Sequence, residues 1–285
     1  MIAGQRALVD VAEDSLSTKN FDMLAGLIND ACGIQMPPSK RTMLEGRLRR
    51  RVRALGLACL DDYCGFIFDA DNLGEEFTHF INAVTTNKTD FFREPQHFDY
   101  LVDKILPELA KRGSGPVRVW SAASSTGAEP YTLAMVLEAF AADHPRFRYG
   151  ILATDIDTDV LADGRRGIYA AQMADPIPAD LRSAFIMEPK DATADVVRIV
   201  PALRSVVGFA QLNLMDPAYP VGKPMDIIFC RNVLIYFDKP TQRKVVSRLV
   251  DSLAIGGYLF LGHSEGAAGQ DPRLALITNT IYRRK

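Results

Sequence analysis

Up to about residue 85 the apolar positions recur at helical spacing, and from about residue 116 short apolar runs alternate with helical stretches. Phe21, Leu24, Leu27 and Ile28 predict a helix that begins near Asn20 and stops at Cys32-Gly33, and Pro37-Pro38-Ser39 opens the next. Leu44, Leu48 and Val52 form that second helix's apolar stripe, and two shorter helices follow near 60–69 and 73–84. In the second part, Val117–Trp120, Tyr149–Thr154, Asp226–Cys230, Tyr258–Leu261 and Thr278–Arg283 read as strands. Pro130–Ala141, Asp157–Gly164 and a stretch from about Pro240 to Leu253 read as helices, and Gly256-Gly257 as a turn. Strands separated by helices predict an α/β fold with a mostly parallel sheet. The stretch 170–212 breaks the rhythm: Val196–Val200 and Val206–Phe209 read as short antiparallel strands of a small inserted sheet.

Composition narrows the function classes without choosing among them. A chain of 285 residues, 48% hydrophobic and 24% charged, has room for two domains with a sizeable core. A net charge of -2 makes no global case for nucleic acid or an anionic membrane as partner. Cys32, Cys59, Cys64 and Cys230 form no C-x-x-C pair, and the four histidines show no H-E-x-x-H spacing, so neither a disulfide framework nor a metal site is expected. Residues 1–20 are polar and acidic, unlike a signal peptide, and no apolar run reaches membrane-spanning length, which predicts a cytoplasmic protein. Asn87-Lys88-Thr89 matches a glycosylation sequon that such a protein would not use.

The candidate chemistry sits where strands end, because ligands of open α/β sheets bind beyond the carboxyl ends of the strands. Ser121–Gly127 is a run of small residues between a strand and a helix; it is either a ligand cradle or simply a tight connection. It carries one glycine where a dinucleotide fingerprint carries three. Glu129 in the first helical turn disfavours a phosphate there and favours a cationic or hydroxyl-bearing ligand. Asp155 ends the second strand, where an acid commonly holds ribose hydroxyls, whereas Asp157 suits a helix cap. Arg231, Asn232 and Tyr236 follow the strand ending at Cys230, and Asn87–Phe98 mixes aromatics with Asn87, Thr89 and Arg93 in no amphipathic pattern. These residues alone point to a nucleoside-type ligand and leave the reaction open.

Five segments extend the reading: Asn87–Pro95, Val119–Tyr131, Ala153–Asp157, Phe229–Asp238 and Gly262–Glu265. In order and spacing they closely resemble the chemotaxis receptor methyltransferases of the CheR family, and the likeness covers nearly the whole chain. The resemblance implies a Rossmann-like class I methyltransferase sheet at 116–285 with a small antiparallel β insert at about 170–212. It also implies a helical N-terminal domain at 1–85 and a linker at 86–115 that contributes to the cofactor site. The cofactor would be S-adenosylmethionine, released as S-adenosylhomocysteine, with no metal. Asn87, Thr89 and Arg93 would hold it from the linker side, Glu129 at the methionine end and Asp155 at the ribose or adenosine. Asn213 and Leu214 would flank the adenine, Arg231 and Asn232 would contact the cofactor, and Tyr236, with Arg231, would face the reacting groups. The implied reaction is methyl esterification of glutamate side chains on a chemoreceptor's cytoplasmic signalling domain by a monomer, with neither nucleic acid nor membrane insertion involved. The same residues leave room for another acceptor, or for a cofactor-binding module without turnover.

Three further features bear on the partner and the cofactor loop. The second helix carries Lys40, Arg41, Arg47, Arg49, Arg50, Arg51 and Arg53 against the single acid Glu45. That one-signed bias suits docking of an acidic helical bundle better than a merely solvated face, with Arg47, Arg49, Arg50, Arg51 and Arg53 as the docking set. The family's loop often reads Ser-Thr-Gly-Glu-Glu-Pro, whereas the first of those acids is Ala128 here and the second, Glu129, remains. Some relatives also grip a C-terminal peptide tether of the receptor with a glycine-rich loop, and the corresponding stretch 187–195 has no glycine. Tether-independent action is therefore expected.

Overall fold

The computed structural model describes residues 14–113, 115–191 and 193–285. The first 13 residues, on which most of the signal-peptide reading rests, lie outside the described residues, as does Ala192 in the 187–195 stretch. The chain divides into two compact units, one ending at Thr86 and the other running from Asn87 to Lys285.

The first unit is helical: α1 Thr18–Cys32, α2 Arg41–Ala54, α3 Leu60–Ile67 and α4 Ala70–Val84. Ser17 caps α1 by accepting the Asn20 amide, which sets the start two residues before the apolar spacing suggests. α2 buries Leu44, Leu48 and Val52, the stripe the spacing predicts, together with Glu45, whose carboxylate accepts the Leu16 amide at 3.0 Å.

The arginines of α2 divide by role. Arg51 makes a bidentate pair with buried Glu76 of α4, 2.7 Å on each arm, and the Tyr63 hydroxyl donates to the same carboxylate at 2.9 Å. Arg47 donates to the Val84 carbonyl, to the Thr85 carbonyl at 2.7 Å and to the Thr86 hydroxyl at 2.8 Å, closing the C-terminal end of α4. Arg49 donates to the Asp14 carbonyl at 2.8 Å. Arg50 and Arg53 are exposed. Of the five arginines read as a docking set, three are therefore engaged within the helical unit.

The second unit opens with helical structure, so most of the stretch read as a linker is part of this unit: α5 Gln96–Tyr100 continues through one wider turn, Leu101–Ile105, into α6 Leu106–Arg112. The alternating segment follows as β1 Val117–Ala122, α7 Ala128–Asp143, β2 Tyr149–Asp155, α8 Thr158–Arg166 and β3 Ile168–Ala170. Next come α9 Ala179–Phe185, β4 Ile186–Met187, β5 Val196–Ile199, α10 Pro201–Val206 and β6 Val207–Gln211. The chain ends with β7 Met225–Cys230, α11 Lys239–Ser252, β8 Leu253–Leu261, β9 Leu274–Thr278 and β10 Ile281–Arg284.

Seven strands form one sheet in the order β6-β2-β1-β7-β8-β10-β9, parallel through β8 and antiparallel for the last two pairings. The order reverses between β1 and β7, and the carboxyl ends of those strands define the crevice where a ligand is expected. Phe229 on β7 stacks on Phe260 on β8 at 4.1 Å, and Trp120 on β1 is fully buried. Burying a phenylalanine of this kind contributes roughly 1.5–3 kcal/mol.

Two strand readings and one turn reading need correction. Val206–Phe209 does not belong to the inserted sheet, which is β3-β5-β4; β6 instead pairs parallel to β2 at the edge of the main sheet. Pro201 opens a short helix between the two apolar runs, and there the chain passes from the inserted sheet to the main one without forming a hairpin. The single closing strand is a hairpin, β9 and β10, with Asn279 and Thr280 between them. Gly256-Gly257 lies within β8, where the pairing with β7 shifts register between Met225 and Ile227.

Candidate active site

The loop between β1 and α7 is wound so that Ala123, Ser125 and Gly127 all have positive φ, at 63°, 51° and 93°. For alanine and serine this costs energy, and such strain concentrates where a backbone must present its amides to a ligand. Gly127 has a second constraint, since a Cβ there would lie 3.0 Å from the Tyr169 hydroxyl and 3.2 Å from the Gly164 backbone.

Asp155 underpins this loop. It is buried at the tip of β2 and accepts the Ser125 amide at 2.8 Å and the Asp157 amide at 3.1 Å. Burial pushes its carboxyl up to about 6 despite those hydrogen bonds. Asp157 caps α8 by accepting the Asp159 and Val160 amides, as its position predicts. Its other oxygen accepts from the Asn87 side chain at 2.7 Å, while the Asn87 carbonyl accepts from the Ser125 hydroxyl at 2.8 Å. Leu212 donates its amide to the Asp155 carbonyl at 3.0 Å, which sets Asn213 and buried Leu214 beside the tip of β2.

At the switch point a buried arginine lies between two acids. Arg231 donates to Glu129 at 3.0 Å and pairs with Glu94 at 3.1 Å, and it also donates to the Arg93 carbonyl. Ser121 donates to the other oxygen of Glu129 at 2.7 Å. Burial pushes the Glu129 carboxyl up and outweighs the opposing pull of Arg231 and Ser121. Burial acts the same way on Glu94, but there Arg231 and the donors from Asn232 and His263 prevail, and the net shift is downward. Two carboxylates share one guanidinium, an imbalance that one cationic ligand group would correct.

Glu94, His97 and His263 also bring possible metal-ligating atoms within 4.8 Å of one another. Arg231 already counters that carboxylate at 3.1 Å and would oppose a second cation beside it. Burial, with Arg231 adding to it, lowers His97 to about 4, so its ring is neutral at physiological pH and shares a 2.8 Å hydrogen bond with Thr280.

Hydrogen bonds thus link Asn87, Asp155, Glu129, Arg231, Asn232 and the Arg93 backbone into two neighbouring groups. The Arg93 side chain is half-buried and donates to the Lys88 carbonyl at 3.1 Å; Thr89 is half-buried close by in sequence. Tyr236 is half-buried at the end of a short helical turn, Leu234–Tyr236, after Asn232. Sequence reasoning gave no role to Ser121, Glu94 or Glu265. The last two lie inside recognised motifs, but their partners are up to 138 residues away in sequence.

A seven-stranded sheet of this order, with an acid at the tip of β2 and a crevice at the switch point, is an α/β fold that places a ligand at the carboxyl ends of β1 and β7. The comparisons with known proteins narrow this further. Residues 87–283 match the family described as "CheR methyltransferase, SAM binding domain", and residues 19–85 match "CheR methyltransferase, all-alpha domain". The chain is 40% identical over 268 residues to "Chemotaxis protein methyltransferase" of Escherichia coli (strain K12), covering 94% of this chain and 91% of that protein. It is 39% identical over 265 residues to "Chemotaxis protein methyltransferase 2" of Pseudomonas aeruginosa, covering 93% and 92%. It is 34% identical over 282 residues to the corresponding protein of Borreliella burgdorferi, covering 97% and 96%. This chain belongs to the CheR methyltransferase family.

Proposed function

We propose that this protein methylates glutamate side chains on the cytoplasmic signalling domain of a chemoreceptor, forming methyl esters, and that it does so without a receptor tether peptide. The observation that carries the reading is the charge imbalance at the switch point. Glu94 and Glu129 share Arg231, which suits the ammonium of the methionine half of S-adenosylmethionine, while Asp155 suits its ribose hydroxyls. In this reading Asn87, Thr89 and Arg93 close the cofactor site from one side, Asn213 and Leu214 flank the adenine, Arg231 and Asn232 contact the cofactor, and Tyr236 faces the transferred methyl.

Held by Glu129, Asp155 and Arg231, S-adenosylmethionine would supply an activated methyl group for a glutamate carboxylate oxygen, leaving neutral S-adenosylhomocysteine. An ionised glutamate is already a nucleophile at neutral pH, so the chain needs no strong base. Its residues contribute alignment, worth up to about 7–11 kcal/mol in well-oriented systems, and exclusion of water while opposite charges are neutralised. No metal enters this scheme.

Exposed Arg50 and Arg53 on α2 would receive the acidic receptor bundle. The loop between β4 and β5 contains no glycine, and Asp191 is tied to Thr193 through its amide at 2.9 Å and its hydroxyl at 2.7 Å. The missing glycine favours recognition through the methylated helices alone. Among the described residues no helix is long and apolar enough to cross a membrane. In this reading the protein is a monomer acting in the cytoplasm.

The test is transfer of labelled methyl from S-adenosylmethionine to purified receptor signalling fragments, with and without a C-terminal tether, followed by alkaline release. Alkali-labile label of equal yield on both fragments is expected. Alkali-stable label would indicate another acceptor, and label only with the tether would overturn tether independence. Cofactor binding without label would favour a module without turnover.

A further inference from the structure

Glu265 belongs to the Gly262-His263-Ser264-Glu265 segment, which helps mark the family but has no assigned part in the chemistry. Glu265 is only 3% exposed. One carboxylate oxygen accepts the Asn232 amide at 2.8 Å and the Gly262 amide at 2.7 Å, and the other accepts the Ile235 amide at 3.3 Å. A single side chain thus ties the tip of β8 to the turn after β7. Burial pushes the Glu265 carboxyl up against the pull of these backbone donors, so holding it in place has a cost.

Asn232 has φ at 59°, a left-handed conformation that asparagine adopts more readily than other side-chain-bearing residues, and its side chain donates to Glu94 at 3.1 Å. Gly262 is required by the same closeness: a Cβ there would lie 2.7 Å from the Asn232 side-chain nitrogen and 2.7 Å from the Glu265 carboxylate. Arg231 is anchored separately, by Glu129 and Glu94.

We infer that Glu265 is a positioning residue that holds the Asn232–Tyr236 turn in its reactive shape, and so governs methyl transfer more than cofactor retention. The inference rests on the proposed function, because it places Tyr236, at the end of that turn, at the transferred methyl. Glu265→Gln preserves size but replaces one accepting oxygen with an NH2 group that faces a backbone donor.

The experiment compares full-length wild type, Glu265→Gln and Ser264→Ala, an exposed change in the same segment. It measures kcat on a receptor fragment, S-adenosylhomocysteine affinity by calorimetry, and thermal unfolding. For Glu265→Gln the expected result is a loss in kcat of roughly 10- to 100-fold, with affinity weakened by no more than about fivefold. Ser264→Ala should match wild type. Should Glu265→Gln not fold, Gly262→Ala keeps every hydrogen-bonding group while forcing the two strand tips apart, and the same split is expected. Unchanged kcat, or kcat and affinity falling by the same factor, would overturn the inference. Wild type that binds S-adenosylhomocysteine yet labels no receptor would overturn the functional reading, and this inference with it.

Discussion

At the scale of single residues, the titration of Asp155 offers the sharpest test of the cofactor site. Its carboxyl is raised from 3.8 to about 6 by burial, so the cofactor-free fold is favoured by the protonated form. That contribution to stability is complete below about pH 4 and is lost as pH rises through about 6. Ribose hydroxyls donate best to the ionised form, so cofactor affinity should run the other way. Calorimetry with S-adenosylhomocysteine should show weakening as pH falls below about 6. Asp155→Asn should weaken binding at pH 7.5 by about 10- to 100-fold and flatten that dependence. The positions of Asp155 and Arg231 were legible in the sequence because they close or follow the apolar runs of β2 and β7, and that of Glu129 because it stands in the first turn of the helix after β1. Glu94 and Glu265 were not. Their partners are an arginine, an asparagine and backbone amides that only the folded sheet brings near.

At the scale of elements, helices were easier to read than strands. α1 to α4 follow the apolar spacing within a few residues, because caps such as Ser17 and Asp69 bound them locally. β6 was misplaced because a short apolar run looks the same in a hairpin as at a sheet edge. The alternative was settled by β2, which offers an open parallel edge. The charge run on α2 likewise reads as uniform until packing divides it. Arg50→Ala/Arg53→Ala should raise KM for the receptor fragment several-fold at low salt, while kcat and thermal unfolding remain close to wild type. Arg51→Ala should instead lower stability by about 3 kcal/mol in urea titration, because Glu76 would be left buried without its cation.

At the scale of the whole molecule, the chain consists of a helical unit that exposes Arg50 and Arg53 and an α/β unit with a crevice at its switch point. The division into a helical and an α/β part was visible from the change in apolar rhythm alone. The reaction was not, because an activated methyl and an ionised carboxylate demand alignment and dryness, and neither leaves a catalytic triad or a metal-ligand spacing to be read. The family motifs supplied what periodicity could not. The central claim is that the acceptor is a glutamate carboxylate on a receptor. Tandem mass spectrometry of a receptor signalling fragment after incubation with the protein and S-adenosylmethionine tests it most directly. The predicted result is single methyl groups on glutamate side chains of the helical bundle, absent when those glutamates are changed to alanine. Methyl groups on lysine, arginine or asparagine nitrogen, or an unmodified fragment, would contradict it.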